Sequence, residues 1–242
     1  MNARLYAIGV GPGDPELLTL KALRILTAVP CICVPQSRAE GDSYALSIVE
    51  RVVDLNTKQV ITAHFPMIKT TGLGVKSEGK RQLKDRWQSA VRTIADMLDR
   101  GVDVAFITIG DPTIYSTFFY LYRGLIEVNP SLAVEIVPGV SSINAAASRA
   151  ATPLCLGDER LAILPATYTK NIQETLEKFD TIVLMKVNTV FARVVRALDR
   201  AGLADKSFFI SRAGMEDEKI IRRLYDVKKE DLSYFSLVVV KK

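Results

Sequence analysis

The stretch VDVAFITIGDPTIYSTFFYLYRGLIEV, residues 102–128, decides the fold class. Its opening run, 102–109, is almost wholly apolar and of strand length. A strand that is apolar throughout, rather than at alternate positions, suits a parallel sheet covered on both faces. Gly110-Asp111-Pro112 punctuates the run, and a helix is predicted over 113–128. Strand, glycine turn and helix in succession form one step of an α/β architecture.

The same alternation continues outward from this stretch. Upstream, 5–10 reads as a strand ending in glycines. Asp14-Pro15-Glu16 then reads as a helix start, with Asp as cap, Pro in the first turn and Glu at the positive end. Leu17, Leu20, Leu23 and Leu26 supply its apolar stripe. Strands at 31–34 and 59–62 flank a helix capped by Ser43 and running to Val53. Residues 66–80, with three glycines and three lysines, read as a loop. A long helix follows, with Leu83, Trp87, Val91, Ile94 and Leu98 in phase and Gly101 as its stop. Trp87 is thereby expected to be a core residue.

Downstream, 133–137 is a strand and 141–150 a helix rich in small residues. Residues 153–157, with Pro153 and Gly157, read as a linker between domains over 1–152 and 158–242. The second half starts again with a strand at 161–164, then a helix at 171–178, a strand at 181–185 and a helix at 189–201. It ends in a β-rich meander with strands at 207–211, 221–225 and 237–240. Two αβα domains fit this order better than one sheet.

Composition narrows the function classes. The 242 residues are 48% hydrophobic and 24% charged, which excludes a disordered chain, a collagen and a disulfide-rich mini-protein. No apolar run reaches the roughly 18–20 residues of a membrane helix. Residues 1–9 open directly into a glycine turn, so no signal peptide and a cytoplasmic location are expected. The excess of 32 Lys and Arg over 27 Asp and Glu is modest, and suits solubility, a polyanionic small molecule or nucleic acid. Three cysteines, with Cys31 and Cys33 alternating inside a strand, and the single His64 offer no metal-ligand spacing and no Ser-His-Asp triad.

Three turns follow strands, where open α/β sheets bind ligands. Gly9-Val10-Gly11-Pro12-Gly13-Asp14-Pro15 is not a dinucleotide fingerprint, because position 14 is Asp where that motif needs Gly. It is not a P-loop either, and a carboxylate there would repel a phosphate. It can still bring backbone close to a ligand. In Gly110-Asp111-Pro112-Thr113-Ile114-Tyr115-Ser116-Thr117, Asp111 either caps the helix or accepts from a ligand's hydroxyl or amino groups. Ser141 in Pro138-Gly139-Val140-Ser141-Ser142 reads as an N-cap or as part of the same site.

In order and spacing these three turns resemble the tetrapyrrole methyltransferase superfamily. Phe65-Pro66-Met67, the block GDPTIYSTFFYL over 110–121, residues 137–142 and VLMKV over 183–187 resemble the branch that methylates precorrin-2 at its C20 meso carbon. The likeness spans nearly the whole chain. It implies two αβα domains with a cleft between them, S-adenosylmethionine as methyl donor, S-adenosylhomocysteine as product, and a role in cobalamin biosynthesis. It also implies a homodimer.

The resemblance assigns donor contacts to Pro12, Gly110, Asp111, Ile114, Ser141 and Ser142, and from the second domain to Met185 and Ala213. The implied substrate is precorrin-2 or its cobalt form, a polycarboxylate ring that Arg and Lys side chains can pair with. Arg38, Lys69, Tyr115, Ser116 and Lys186 are its expected contacts, and Asp111 and Tyr115 the candidates for the catalytic centre. Other readings are a sibling enzyme acting on another ring position or on RNA, and a non-catalytic nucleotide sensor. A nucleic-acid partner is not expected, because no dense basic cluster interleaves with aromatics. No membrane partner is expected either.

Overall fold

The computed structural model describes residues 3–36, 43–64, 77–167 and 172–242, with backbone alone at 64 and 77–86. The chain divides into two compact units, Met1–Ser141 and Ser142–Lys242, so the helix at 142–149 falls with the second unit rather than ahead of a linker at 153–157.

The first unit is built on strands β1 (Arg4–Gly9), β2 (Cys31–Gln36), β3 (Gln59–His64), β4 (Val104–Thr108) and β5 (Ala133–Val137). They form one sheet in the order β3-β2-β4-β1-β5, with every pair parallel. The apolar run that suggested burial on both faces is β4, and all five of its residues are buried. Alternate side chains serve opposite faces. Val104 and Phe106 pack with Leu5, Ala7, Cys31 and Cys33 under α3 (Ser77–Asp99) and α4 (Phe118–Val128). Ala105 and Ile107 pack with Ile8 and Ile32 under α1 (Leu20–Ala28) and α2 (Tyr44–Val49). A fully buried side chain such as Phe106 contributes about 1.5–3 kcal/mol.

This topology sets the site. β1 hands the chain to α1 on one face, and its neighbour β4 hands it to α4 on the other. Adjacent strands whose connections depart on opposite faces leave a crevice at their carboxyl ends.

The second unit contains α5 (Ser142–Arg149), β6 (Leu161–Pro165), α6 (Ile172–Lys178), β7 (Thr181–Met185), α7 (Phe191–Arg200), β8 (Ser207–Ser211), β9 (Lys219–Ile221) and β10 (Ser236–Lys241). Its sheet runs β6-β7-β10-β8-β9, with β6 and β7 parallel and the remaining pairs antiparallel. Leu176, Val194 and Leu198 of its helices pack on Ile182, Leu184, Phe209 and Val238. The α/β class and the two sheets read from the sequence are therefore present.

Several boundaries depart from the sequence reading, each for a local reason. Residues 15–17 form a single 3-10 turn with Asp14 accepting from the Glu16 N–H, and Leu18 is extended. The helix proper starts at Leu20, capped by Thr19. Leu20 is consequently 86% exposed, and Ala22, Ile25 and Leu26 form the buried stripe. The helix predicted from Thr113 begins at Phe118, because Asp111 draws Thr113 into a side-chain turn and Tyr115 is left-handed at φ 51°. The loop expected over 66–80 falls outside the described residues up to 76, and 77–80 are already helical. The strand expected at 221–225 is β9, two residues earlier, followed by a 3-10 turn at Leu224–Asp226.

Candidate active site

The three turns singled out in the sequence follow β1, β4 and β5, which are adjacent in the first sheet. Their ends are level, with Gly9 beside Thr108 and Ile8 beside Val137. Past the strands the turns stay joined. Val10 N–H donates to the Thr108 carbonyl at 2.9 Å, and Gly110 N–H donates to the Gly11 carbonyl at 2.7 Å.

The backbones of Gly9, Gly110 and Gly139 meet here. A Cβ on Gly9 would lie 2.5 Å from the Gly110 carbonyl oxygen and 2.7 Å from the Gly139 nitrogen. A Cβ on Gly139 would lie 2.3 Å from that same oxygen. Any other residue at either position would force backbone apart. The glycines thus serve main-chain packing, which is why the first turn need not match a phosphate-binding motif.

Asp111 closes this meeting point. One carboxylate oxygen accepts from the Thr113 N–H at 2.7 Å and from the Thr113 hydroxyl, and the other accepts from the Gly139 N–H at 3.0 Å. Its side chain is a tie between two turns, where the sequence left a helix cap or a ligand contact open. Ser116 is also engaged internally: its hydroxyl donates to Thr108 Oγ1 and accepts from the Phe118 N–H, both at 3.2 Å. Tyr115 is 46% exposed, and partial burial raises its phenol above the ordinary range. Pro12, Gly110 and Ser141 are buried, while Ile114 and Ser142 are half-buried.

In the second unit β6, β7 and β8 point the same way, so their carboxyl ends share one edge. Met185 ends β7 half-buried, and Ala213 follows β8 buried. The residues between these strands and their turns are strained. Lys186 has φ 58° and Arg212 φ 56°, a region that residues with side chains seldom enter. Desolvation holds the Lys186 ammonium below the ordinary lysine range. The Arg212 guanidinium pairs with Asp217, and the Gly214 N–H donates to Glu218 Oε2 at 2.7 Å. Arg212 is not among the ring contacts expected from the sequence, and Thr113 is expected there within a helix. Neither backbone strain nor a carboxylate's distant partner leaves a mark in the sequence.

Arg38 and Lys69 lie outside the described residues, as does 65–67. Cys31 and Cys33 are buried free thiols; burial pushes Cys31 up to about 11, and Cys33 is raised further, with Cys31 adding to the effect. Among the described residues no three His, Cys, Asp or Glu side chains group to hold a metal ion. No helix among them is long and apolar enough to cross a membrane.

Three joined turns at the carboxyl ends of β1, β4 and β5 occupy the place where open α/β sheets bind ligands. The family of Tetrapyrrole (Corrin/Porphyrin) Methylases matches residues 4–227. The chain belongs to this family. It is 36% identical to a cobalt-precorrin-2 C(20)-methyltransferase of Salmonella typhimurium, over 100% of this chain and 98% of that one. It is 38% identical to a probable cobalt-precorrin-2 C(20)-methyltransferase of Methanocaldococcus jannaschii, over 99% and 96%. A precorrin-2 C(20)-methyltransferase of a Sinorhizobium species is 30% identical over 98% and 94%. Among solved structures, a cobalt precorrin-4 methyltransferase superposes with a TM-score of 0.74 at 23% identity, over 98% of this chain and 94% of that one. A uroporphyrin-III C-methyltransferase of Thermus thermophilus complexed with S-adenyl homocysteine superposes at 0.66 and 22%, over 99% and 92%. Both carry the same fold.

Proposed function

We propose that this protein transfers the methyl group of S-adenosylmethionine to the C20 meso carbon of precorrin-2 in cobalamin biosynthesis, with the cobalt-bearing ring as its substrate. The observation that carries this is the gradient among its relatives. Identity to the C20 enzymes is 30–38%, whereas cobalt-precorrin-4 C(11)-methyltransferases reach only 24–27%. Within the C20 group, the two named for cobalt-precorrin-2 stand at 36 and 38% and the one named for the metal-free ring at 30%.

The residues present fit the donor. A sulfonium cation with no phosphate, it suits turns that lack a phosphate motif, and Gly110 and Ser141 lie buried on the turns past β4 and β5. Pro12, Gly110, Ile114, Ser141, Ser142, Met185 and Ala213 line the donor site in this reading, and Asp111 belongs to it through the turns that it ties. When bound, the donor supplies an electrophilic methyl on a positively charged sulfur.

The protein's work is alignment and exclusion of water. Positive charge on sulfur disperses as the methyl leaves. A carboxylate touching it would stabilise the ground state more than the transition state, so no acid is needed there. With the donor bound, the bond from C20 to the methyl would form with ring π electrons, the carbon–sulfur pair would stay on sulfur, and the C20 proton would pass to solvent water, restoring the conjugated ring. Tyr115 orients the macrocycle, and Arg38, Lys69, Ser116 and Lys186 belong to the polycarboxylate contacts. The protein is cytoplasmic and works as a homodimer in this reading.

Incubation with methyl-labelled donor and cobalt-precorrin-2, metal-free precorrin-2 or bulk RNA tests it. One label at C20, entering the cobalt ring faster than the metal-free ring, is expected. Label in RNA, or at another ring carbon, would refute the assignment.

A further inference from the structure

We propose that the Asp111 carboxylate is a positioning group for the donor site, acting through the turns it ties together and making no bond to the donor's hydroxyl or amino groups. This rests on the donor reading above. The geometry is specific. Asp111 sits on the turn after β4, and Gly139 on the turn after β5, yet these strands are not neighbours, because β1 runs between them. The carboxylate therefore reaches across the end of β1. It can do so because β1 ends in Gly9, where a Cβ would come within 2.5 Å of the Gly110 oxygen and 2.7 Å of the Gly139 nitrogen.

The bond also meets a need. Among the described residues β5 is an edge strand paired only with β1, and that pairing stops at Val137. Beyond it, the Gly139 N–H has no ladder partner, and Asp111 Oδ2 is its acceptor at 3.0 Å. The other oxygen takes both the N–H and the hydroxyl of Thr113, which fixes the start of the 111–117 turn. Asp111 thus sets the position of Gly139, and through it Ser141 and Ser142, relative to Gly110 and Ile114. Hydrogen bonds to a charged acceptor are the stronger class. Removing the carboxylate would leave the Gly139 amide unpaired and loosen both turns.

Titration calorimetry of the full-length protein with S-adenosylhomocysteine, and with analogues lacking the 2′-hydroxyl, the 3′-hydroxyl or the α-amino group, tests the role. Asp111→Ala should weaken all four ligands by roughly ten- to hundredfold. The ratio between the parent compound and each analogue should match the wild type. Asp111→Asn, which keeps an acceptor for only one of the two turns, should fall between, and its melting temperature guards against a folding defect. Amide exchange over 138–141, measured without ligand, should speed up in both variants.

A ratio collapsing to near one for a single analogue in Asp111→Ala would show direct contact and overturn the proposal. Unchanged exchange over 138–141 would overturn it as well. Should the wild type bind no S-adenosylhomocysteine, the donor reading itself falls and takes this role with it, a different signature from either result above.

Discussion

Lys186 and Arg212 hold their backbones in the left-handed region just past β7 and β8. A side chain there costs about 1 kcal/mol or more relative to glycine. Such strain is found where a fold positions ligand-binding groups. Lys186→Gly should therefore leave the melting temperature equal or higher, while raising KM for the polycarboxylate ring several-fold. A lower melting temperature with unchanged KM would show that Lys186 serves only the fold. At this scale the sequence was legible in part. Gly9, Gly110 and Gly139 announced turns, because glycine after an apolar strand has few other uses. That their backbones touch one another depends on strands more than ninety residues apart pairing side by side. Asp111 followed the same logic: its local partner Thr113 lies two residues on, whereas Gly139 could be found only through the topology.

At the scale of elements, apolar period and burial carried most of the information. Strands β1, β4, β5, β7 and β8 lie where their apolar runs predict, because a buried strand has no other composition open to it. The boundaries that moved were decided by single polar bonds. Asp111 and a left-handed Tyr115 delay α4, and an extended Leu18 splits the first helical segment. The end of the second sheet depends on one such bond set. Asp231, 7% exposed, accepts from Lys219 Nζ at 2.6 Å and from the Lys228 N–H at 2.8 Å, fastening the 3-10 turn Lys229–Asp231 to β9. The Lys219 hydrogen bond, then the Lys228 backbone bond, hold its carboxyl below the ordinary Asp range. A depressed folded-state value means the stabilisation is complete above the ordinary Asp range and fades as pH falls through the lower folded value. Asp231→Asn should remove that acid-dependent part. In acid titrations followed by circular dichroism, the wild type should lose stability more steeply than the variant below about pH 4. Parallel curves would show that Asp231 does not govern this limb.

For the whole molecule, the net charge of +5 gains meaning beside a polycarboxylate substrate. Exposed charges attract over about 10 Å at 0.1 M salt, and less as salt rises. KM for the ring should climb several-fold between about 0.05 and 0.5 M salt, where screening shortens from roughly 14 to 4 Å. Affinity for S-adenosylhomocysteine, which is close to neutral overall, should change little. Equal salt sensitivity of the two ligands would detach the basic surplus from substrate binding. The α/β class and the two sheets could be read from composition and alternation alone. The division at 141/142 could not, because Pro153 and Gly157 mark a loop within the second unit as plainly as they would mark a linker.

The strand order has a consequence for how the protein is made. β1 is translated before the other four strands of its sheet, yet its two neighbours are β4 and β5, with Leu5 opposite Val104 and Arg4 opposite Ala133. At about 5–20 residues per second, the ribosome needs on the order of ten seconds to deliver those partners. Throughout that interval an apolar segment destined to lie between β4 and β5 is nascent chain without its mates, open to chaperones and to neighbouring polysomes. The yield of folded enzyme in a cell should accordingly answer to elongation speed between β1 and β5.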